Sequence, residues 1–521
     1  MKKFLQRFGS HVKGVLSGLD RIRFRGTQRL LASVRGMKQY LWMRQIPWKD
    51  FTPWAQDLTQ TMRRAIEEQA VAAGRPMVYL SSSGQRKEDL AWELARRDGV
   101  TEGLVAVLKC VEPCVSFAVR RNRQRKQLEL SCGRMKCLHY YHYYLDRRFG
   151  LMHVRTQSWL PFNVHVCLNG RDWLARQLDA AGIGYVKKDN CLVDVGDVAA
   201  AQALFDAQLR SDWSKVLTEL AQVSNPAQAG LFAALPVPYY WSVEESEWAS
   251  DVMFRVPEEL AALMPRFVRH GLEALSCPDV MRFLGRRSPS ERGLLGTFQG
   301  EVVTDLKRRP EGVRLLHRLN RNWLKMYDKQ GSVLRIETVI NDARDLKVFR
   351  ASEDDPQGKK KWLRMRKGIA DLHRRAAISQ KSNERYLDSL SSVAEGQTLE
   401  ELTQRLSRPT VWLGRRLRAL NPLADADARL LQAVGRGEFL LNGLRNRDLR
   451  VWLYGTKAAD AAELRRQAAA VTRRLRLLRA HGLLQKVAHT QRYLVTEYGR
   501  TAIAALAAAR AIDIKHLINA A

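Results

Sequence analysis

Acidic residues are scarce in this chain. Its 521 residues carry 54 Asp and Glu against 87 Lys and Arg, leaving a formal net charge of +33. A protein this basic needs a polyanionic partner, and nucleic acid is the commonest one. Cysteine is sparse as well, seven residues in all. That number excludes a dense disulfide framework and points to free thiols in a reducing, cytoplasmic setting. No apolar run approaches the ~18 residues of a spanning helix, so neither a transmembrane segment nor a membrane partner is expected. The basic start MKKFLQRFGSHVKGVLSGL is interrupted by Gln6, Arg7, His11 and Lys13 and does not read as a signal peptide. Also missing are a P-loop, a dinucleotide fingerprint, a zincin helix, a serine-hydrolase elbow and any solenoid repeat. What is present is 45% hydrophobic residues, enough for several cores over a length that suggests roughly three or four domains.

The cations are gathered in places. In Ala462–Thr496, Val471, Leu475 and Leu478 recur at helical spacing, with His481 next in line and Gly482 as the stop. Arg473, Arg474, Arg476 and Arg479 fill much of the rest of the circumference. Leu483–Val487 and Gln491–Thr496 then read as two strands joined at His489-Thr490, with Arg492 on the second, and Glu497–Ala511 reads as a closing helix. Helix, stop, strand, basic tip, strand and helix is the order of a winged helix-turn-helix, whose recognition helix enters a major groove while the wing reaches phosphates. Upstream, Phe439–Arg450 reads as its first strand and second helix, with Asn446 as N-cap. Residues 396–422 read as two short helices broken at Ser407-Arg408-Pro409, Arg415, Arg416 and Arg418 lying on the second. The densest run is Arg120, Arg121, Arg123, Arg125 and Lys126, five cations in seven residues between two strands. Like charges so close repel one another unless an anion joins them.

TRRLRLLRAHGLL followed by RYLVTEYGRTAIAAL resembles the winged-helix domains of bacterial MarR-type transcriptional regulators over about the last 100 residues. A second likeness lies in Tyr327-Asp328-Lys329 followed by Leu334-Arg335-Ile336-Glu337. It resembles a hairpin of the rolling-circle replication initiators of plasmids and phages. That resemblance implies Glu337 as a metal-side carboxylate, Tyr386 as a nucleophile in a helix, and Mg²⁺ or Mn²⁺ polarising a phosphodiester. The chain departs from those proteins in lacking a His-hydrophobe-His motif; Phe162–Val166 offers only His165. The chain as a whole resembles bacterial proteins associated with mobile elements, some of them described as MarR-like.

The remaining pattern is α+β. Residues 1–76 read as a basic helical region. Within them Lys13–Arg29 reads either as a phosphate-holding segment or as an ordinary loop, and Trp42, Trp48, Phe51 and Trp54 read as core. Residues 77–224 alternate short β-prone runs with the helix Lys87–Arg97 in a largely antiparallel sheet domain. His139–Tyr144 is an aromatic strand whose residues alternate between two faces, one of which could stack bases. Cys110, Cys114, Cys132 and Cys137 beside His139 and His142 have spacings unlike the usual zinc ones, and an ordinary strand end is preferred to a metal site. Residues 225–300 are a linker and helical segment, with a polar loop at Arg286–Gly296. Residues 301–395 hold the hairpin Trp323–Tyr327/Val333–Ile340, where a buried Glu337 would need a cation from Lys325, Arg335 or Arg314. Trp362–Ala377 reads as a basic helix, and 396–521 as the helix-turn-helix and winged-helix domain. The fold class expected is α+β and multi-domain, with antiparallel-sheet N-terminal and central domains and a C-terminal winged helix-turn-helix. The function expected is binding of DNA or structured RNA. The alternatives are a metal-dependent nickase or strand-transfer enzyme and the scaffold of a ribonucleoprotein.

Overall fold

The computed structural model describes residues 1–286, 301–309, 312–352, 354–393, 403–455 and 458–512. The expected polar loop after Arg286 and the start of the first helix expected in 396–422 lie outside them. The protein is α+β. Its strands in chain order are β1 (Val12–Gln28), β2 (Met77–Leu80), β3 (Gly103–Asn122), β4 (Gln127–Asp146), β5 (Gly150–Gln157), β6 (Val164–Asn169), β7 (Tyr185–Lys188), β8 (Cys191–Val195) and β9 (Tyr239–Phe254). There follow β10 (Val302–Arg309), β11 (Gly312–Leu319), β12 (Asn322–Lys329), β13 (Val333–Ile340), β14 (Lys347–Arg350), β15 (Lys361–Arg364), β16 (Thr410–Trp412), β17 (Arg415–Leu417), β18 (Leu444–Arg445), β19 (Leu484–Lys486) and β20 (Arg492–Val495). Two compact units result, neither continuous in sequence. One comprises residues 1–15, 250–338 and 378–521, the other 16–249 and 339–377.

The second unit is built on a sheet ordered β9-β1-β6-β5-β4-β3-β2, antiparallel from β1 to β3 and parallel between β3 and β2. Helices cover both faces. The helix Phe51–Ala72 packs Phe51, Leu58, Met62 and Ile66 with Phe117, Tyr140 and Phe162. The helix Lys87–Arg97 packs Ala91 and Leu94 with Leu108, Tyr141 and Tyr143. Because neighbouring strand residues face opposite ways, His139–Tyr144 is enclosed from both sides. Tyr140, Tyr141, Tyr143, His139 and His142 are all buried, and no base can stack on them.

Lys13–Arg29 is neither helix nor loop but most of β1. Arg21, Arg23 and Arg25 alternate with buried Ile22 and Phe24, the two-residue period of a half-buried strand. Gly26 is required there by close approach, since a Cβ would meet the Trp241 ring at 2.8 Å. Trp42, expected in the core, is 80% exposed, while Phe51 is buried as expected.

In the first unit the strands run β10-β11-β12-β13-β9-β1, only the end of β9 and the start of β1 belonging to it. The helix Pro257–Glu273 and the later part of Leu372–Leu390 pack on them through Leu263, Phe267, Leu315, Ile336, Tyr386 and Leu387. A separate cluster within residues 403–512 joins Leu430, Leu449, Val471, Leu475, Leu478, Leu484, Val495 and Ile503.

Five histidines buried among these cores make stability depend on pH. Burial pushes His139, His142, His270 and His317 down to about 4 and His153 to about 3. Unfolded imidazoles take up protons near pH 6.5, whereas these stay neutral in the fold until far lower pH. Between the two ranges the unfolded chain binds more protons, so stability is full above about pH 6.5 and falls as pH drops toward about 4. Thermal midpoints measured across that interval are expected to decline steadily. A plateau extending down to about pH 4.5 contradicts this account.

Candidate nucleic-acid interface

The C-terminal block follows the order helix, helix, strand, helix, helix, strand, strand, helix. The helices Asp425–Val434 and Gly437–Asn442 precede β18. Asn446–Tyr454 and the arginine helix Ala461–Ala480 follow it, then β19, β20 and Glu497–Ala511. The three strands form an antiparallel sheet ordered β18-β20-β19, with Leu444 opposite Tyr493 and Leu484 opposite Val495. Asp460 caps the arginine helix, accepting from the Glu463 amide at 2.7 Å. Gly482, at φ +74°, turns the chain out of it. Val471, Leu475 and Leu478 are buried, as is His481, which reaches the Arg418 carbonyl oxygen at 2.9 Å. Asn446 is not the cap of its helix. Arg445 holds that position with Asp448, and the Asn446 side chain donates instead to the Ala468 carbonyl and the Thr472 hydroxyl, both at 2.9 Å. That bond locks the two helices of the motif together.

With one stripe of the arginine helix in the core, Arg465, Ala469, Thr472 and Arg473 stand exposed, with Arg476 half-buried beside them. Steps of three and four residues place them on one face. Arg465 and Arg473 are exposed cations, and neither they nor Arg476 form an ion pair with another described residue. Arg465 was not singled out from the sequence, although its spacing from Ala469 and Arg473 signals the shared face. Arg474 and Arg479 serve differently. Arg474 lies 5.4 Å above the Tyr454 ring, and Arg479 lies 4.7 Å above Trp412 and 6.0 Å from Tyr493, contacts that fasten them to the motif. Past β19 and its exposed Lys486, the chain turns at Val487–Gln491, where His489 adopts φ +56° and Thr490 donates back to the Val487 carbonyl. Arg492 starts β20 on the far side of this turn.

Arg415 and Arg416 lie on β17, not on a helix. β16 and β17 form a tight hairpin turning at Leu413 and Gly414, both at positive φ, as a two-residue connection requires. Arg415 is opposite Trp412, on which Arg479 sits, and both Arg415 and Arg416 are exposed. Arg418 is tied to Asp427 by bonds of 2.6 and 2.7 Å. In the second unit, Arg120–Lys126 forms the tip of the long β3–β4 hairpin. The Asn122 side chain accepts from the Gln124 and Arg125 amides, and Lys126 takes a positive φ. All five cations are exposed; Glu129 lies 3.5 Å from Arg125 and is the cross-strand partner of Arg120. The hairpin placement expected for this run is therefore what the structure has.

The residues of the nickase alternative are enclosed. Glu337 on β13 is buried and accepts from Lys325 Nζ at 2.5 Å, so Lys325 is the cation its burial requires. Tyr386 has no exposed surface. Its hydroxyl is 3.0 Å from His317 Nε2, its ring meets Phe283 edge-on, and burial pushes its ionisation up. An attacking tyrosine needs a hydroxyl that reaches the phosphodiester, and this one is part of the core. In the second unit Asp20 and Glu247 each offer a carboxylate oxygen within 4.8 Å of the other. Asp20 also accepts from Asn190 at 2.9 Å and lies 3.5 Å from Nε of the buried Arg171. Two carboxylates this close are the kind of oxygen donor a divalent cation takes. Of the four strand cysteines, Cys114 and Cys137 meet side chain to side chain. Cys132 is exposed, Cys137 is buried on the opposite face of β4, and His139 is engaged by the Cys137 carbonyl and Arg155. No family model matches the chain, and no curated protein or solved structure matches it. Among the described residues no helix is long and apolar enough to cross a membrane.

Proposed function

We propose that the chain is a nucleic-acid-binding protein, and that residues 425–511 act as a winged helix which docks the arginine helix in the major groove of a duplex. The observation that carries this reading is the exposed face Arg465–Ala469–Arg473–Arg476, cationic and unanswered by any described carboxylate. A folded protein gains nothing from holding like charges together on one helix face, and a phosphate backbone removes that cost. Arg415 is opposite Trp412, the ring on which Arg479 of the same helix rests, and the β17 arginines and the wing would extend the contact along the backbone. The β3–β4 tip supplies a further cluster of phosphate-binding cations. A regulator of the bacterial or mobile-element type fits these parts.

The test is the salt dependence of binding to a mixed-sequence duplex. Each phosphate neutralised contributes about −0.9 to the slope of log K against log salt, so five or more contacts weaken binding by about a thousandfold between roughly 50 and 200 mM salt. A nearly flat dependence removes the proposal. Sequencing the nucleic acid that co-purifies then separates a duplex-reading regulator from the scaffold of a ribonucleoprotein, which would carry one structured RNA.

A further inference from the structure

The hairpin β14–β15 carries an aromatic pair that the protein's own folding does not use. Phe349 and Trp362 are directly opposite one another, their ring centroids 5.6 Å apart. Phe349 is 56% exposed and Trp362 62%. Opposed residues share a face and alternate residues return to it, so Lys347 and Arg364, the next opposed pair on that face, flank the two rings. Both are exposed. The other face is anchored by buried Val348 and half-buried Leu363, and the base of the hairpin is closed by the Met365 amide donating to the Leu346 carbonyl at 2.9 Å. Arg350 is turned to backbone, donating to the carbonyls of Ala351 and Arg364. The connecting loop adds exposed Lys359 and Lys360, with Lys361 at the start of β15. The same loop carries exposed Asp354 and Asp355, the Asp355 carbonyl accepting from the Gly358 amide at 3.2 Å.

An exposed aromatic pair costs hydration free energy with no return from the core. Two rings framed by cations on a rigid ribbon are the chemistry of a base-stacking platform, in which unpaired bases lie on the rings while the flanking charges follow the phosphates. We infer that the Phe349–Trp362 face binds single-stranded nucleic acid. This surface uses residues other than those of the proposed duplex interface. It stands or falls separately from that reading, sharing with it only the class of partner. A duplex hides its base faces and could use only the cations.

The full-length protein should bind a fluorescent oligothymidylate and an oligouridylate of equal length, and the tighter of the two identifies DNA or RNA as the strand. Phe349→Ala with Trp362→Ala is expected to weaken that binding at least tenfold, since stacking on an aromatic is worth about a factor of ten or more per base. Duplex affinity should stay within about twofold, and Trp362→Phe should retain most of the single-strand affinity because it keeps a ring. An unchanged circular dichroism spectrum and melting midpoint show that the double variant is folded. Unaltered single-strand affinity in the folded double variant overturns the inference. So does an equal loss for duplex and single strand, or a wild-type protein that binds no single strand. A wild type that self-associates and turns monomeric in the double variant, with single-strand affinity unchanged, would make the patch a contact between copies instead.

Discussion

Replacing Arg465, Arg473 and Arg476 together with alanine is expected to lower duplex affinity about a thousandfold and to flatten the salt slope by nearly three. Each is a cation on the face turned away from the core. A charge-assisted contact to phosphate is worth roughly 1.5 kcal/mol, and each one lost takes about one unit from the slope. Alanine is the best helix former, so the helix itself should tolerate the change. Arg474 and Arg479 provide the contrast. Their guanidinium groups rest on Tyr454 and Trp412, so their loss should lower the melting midpoint along with the affinity. Titration of the triple variant against a duplex at several salt concentrations decides the matter. A dissociation constant and slope matching the parent's would show that this helix face does not meet the backbone.

Asp251→Ala should be the most damaging single change to stability, at about 3–5 kcal/mol. Arg335 on β13 and Asp251 near the end of β9 are both essentially inaccessible to water. Arg335 donates to the carboxylate through Nε at 2.6 Å and Nη2 at 2.9 Å. Removing the acid strips a buried guanidinium of its two-pronged acceptor in a medium that solvates charge poorly. Replacing both partners with apolar residues of similar volume, Arg335→Met with Asp251→Leu, should recover most of the loss. Urea midpoints of the single and double variants measure this. A loss below about 1 kcal/mol in Asp251→Ala would mean that the pair is not what holds β9 and β13 in register within the first unit.

Local pattern carried far into the structure wherever the environment of a residue is set by its neighbours in sequence. The buried stripe of the arginine helix, the Gly482 stop, the β12–β13 hairpin with a cation for Glu337, and the Arg120–Lys126 tip all follow from period, turn chemistry and charge. The misreadings share another origin. Lys13–Arg29 is obscured by its glycines, two of which answer to distant rings, Gly18 to Phe205 and Gly26 to Trp241. On its basic flanks Trp362 reads as helix, although pairing with Phe349 makes it a strand residue. Thr410–Leu417 was also read as helical. Its arginines suit either state, and the left-handed turn at Leu413 is improbable for a leucine on local grounds alone.

The amino-acid order alone settled the excess of positive charge, the α+β class and the succession of elements from the arginine helix to Ala511, because composition and short-range periodicity need no fold to exist. Which cations face outward, and which aromatic rings are left uncovered, was decided only by tertiary structure. Exposure is a property of what comes to lie over a side chain. For Tyr140, Tyr386 and Phe349 that depended on partners distant in the chain: helices enclosed the first two, while the third meets Trp362 and stays 56% exposed.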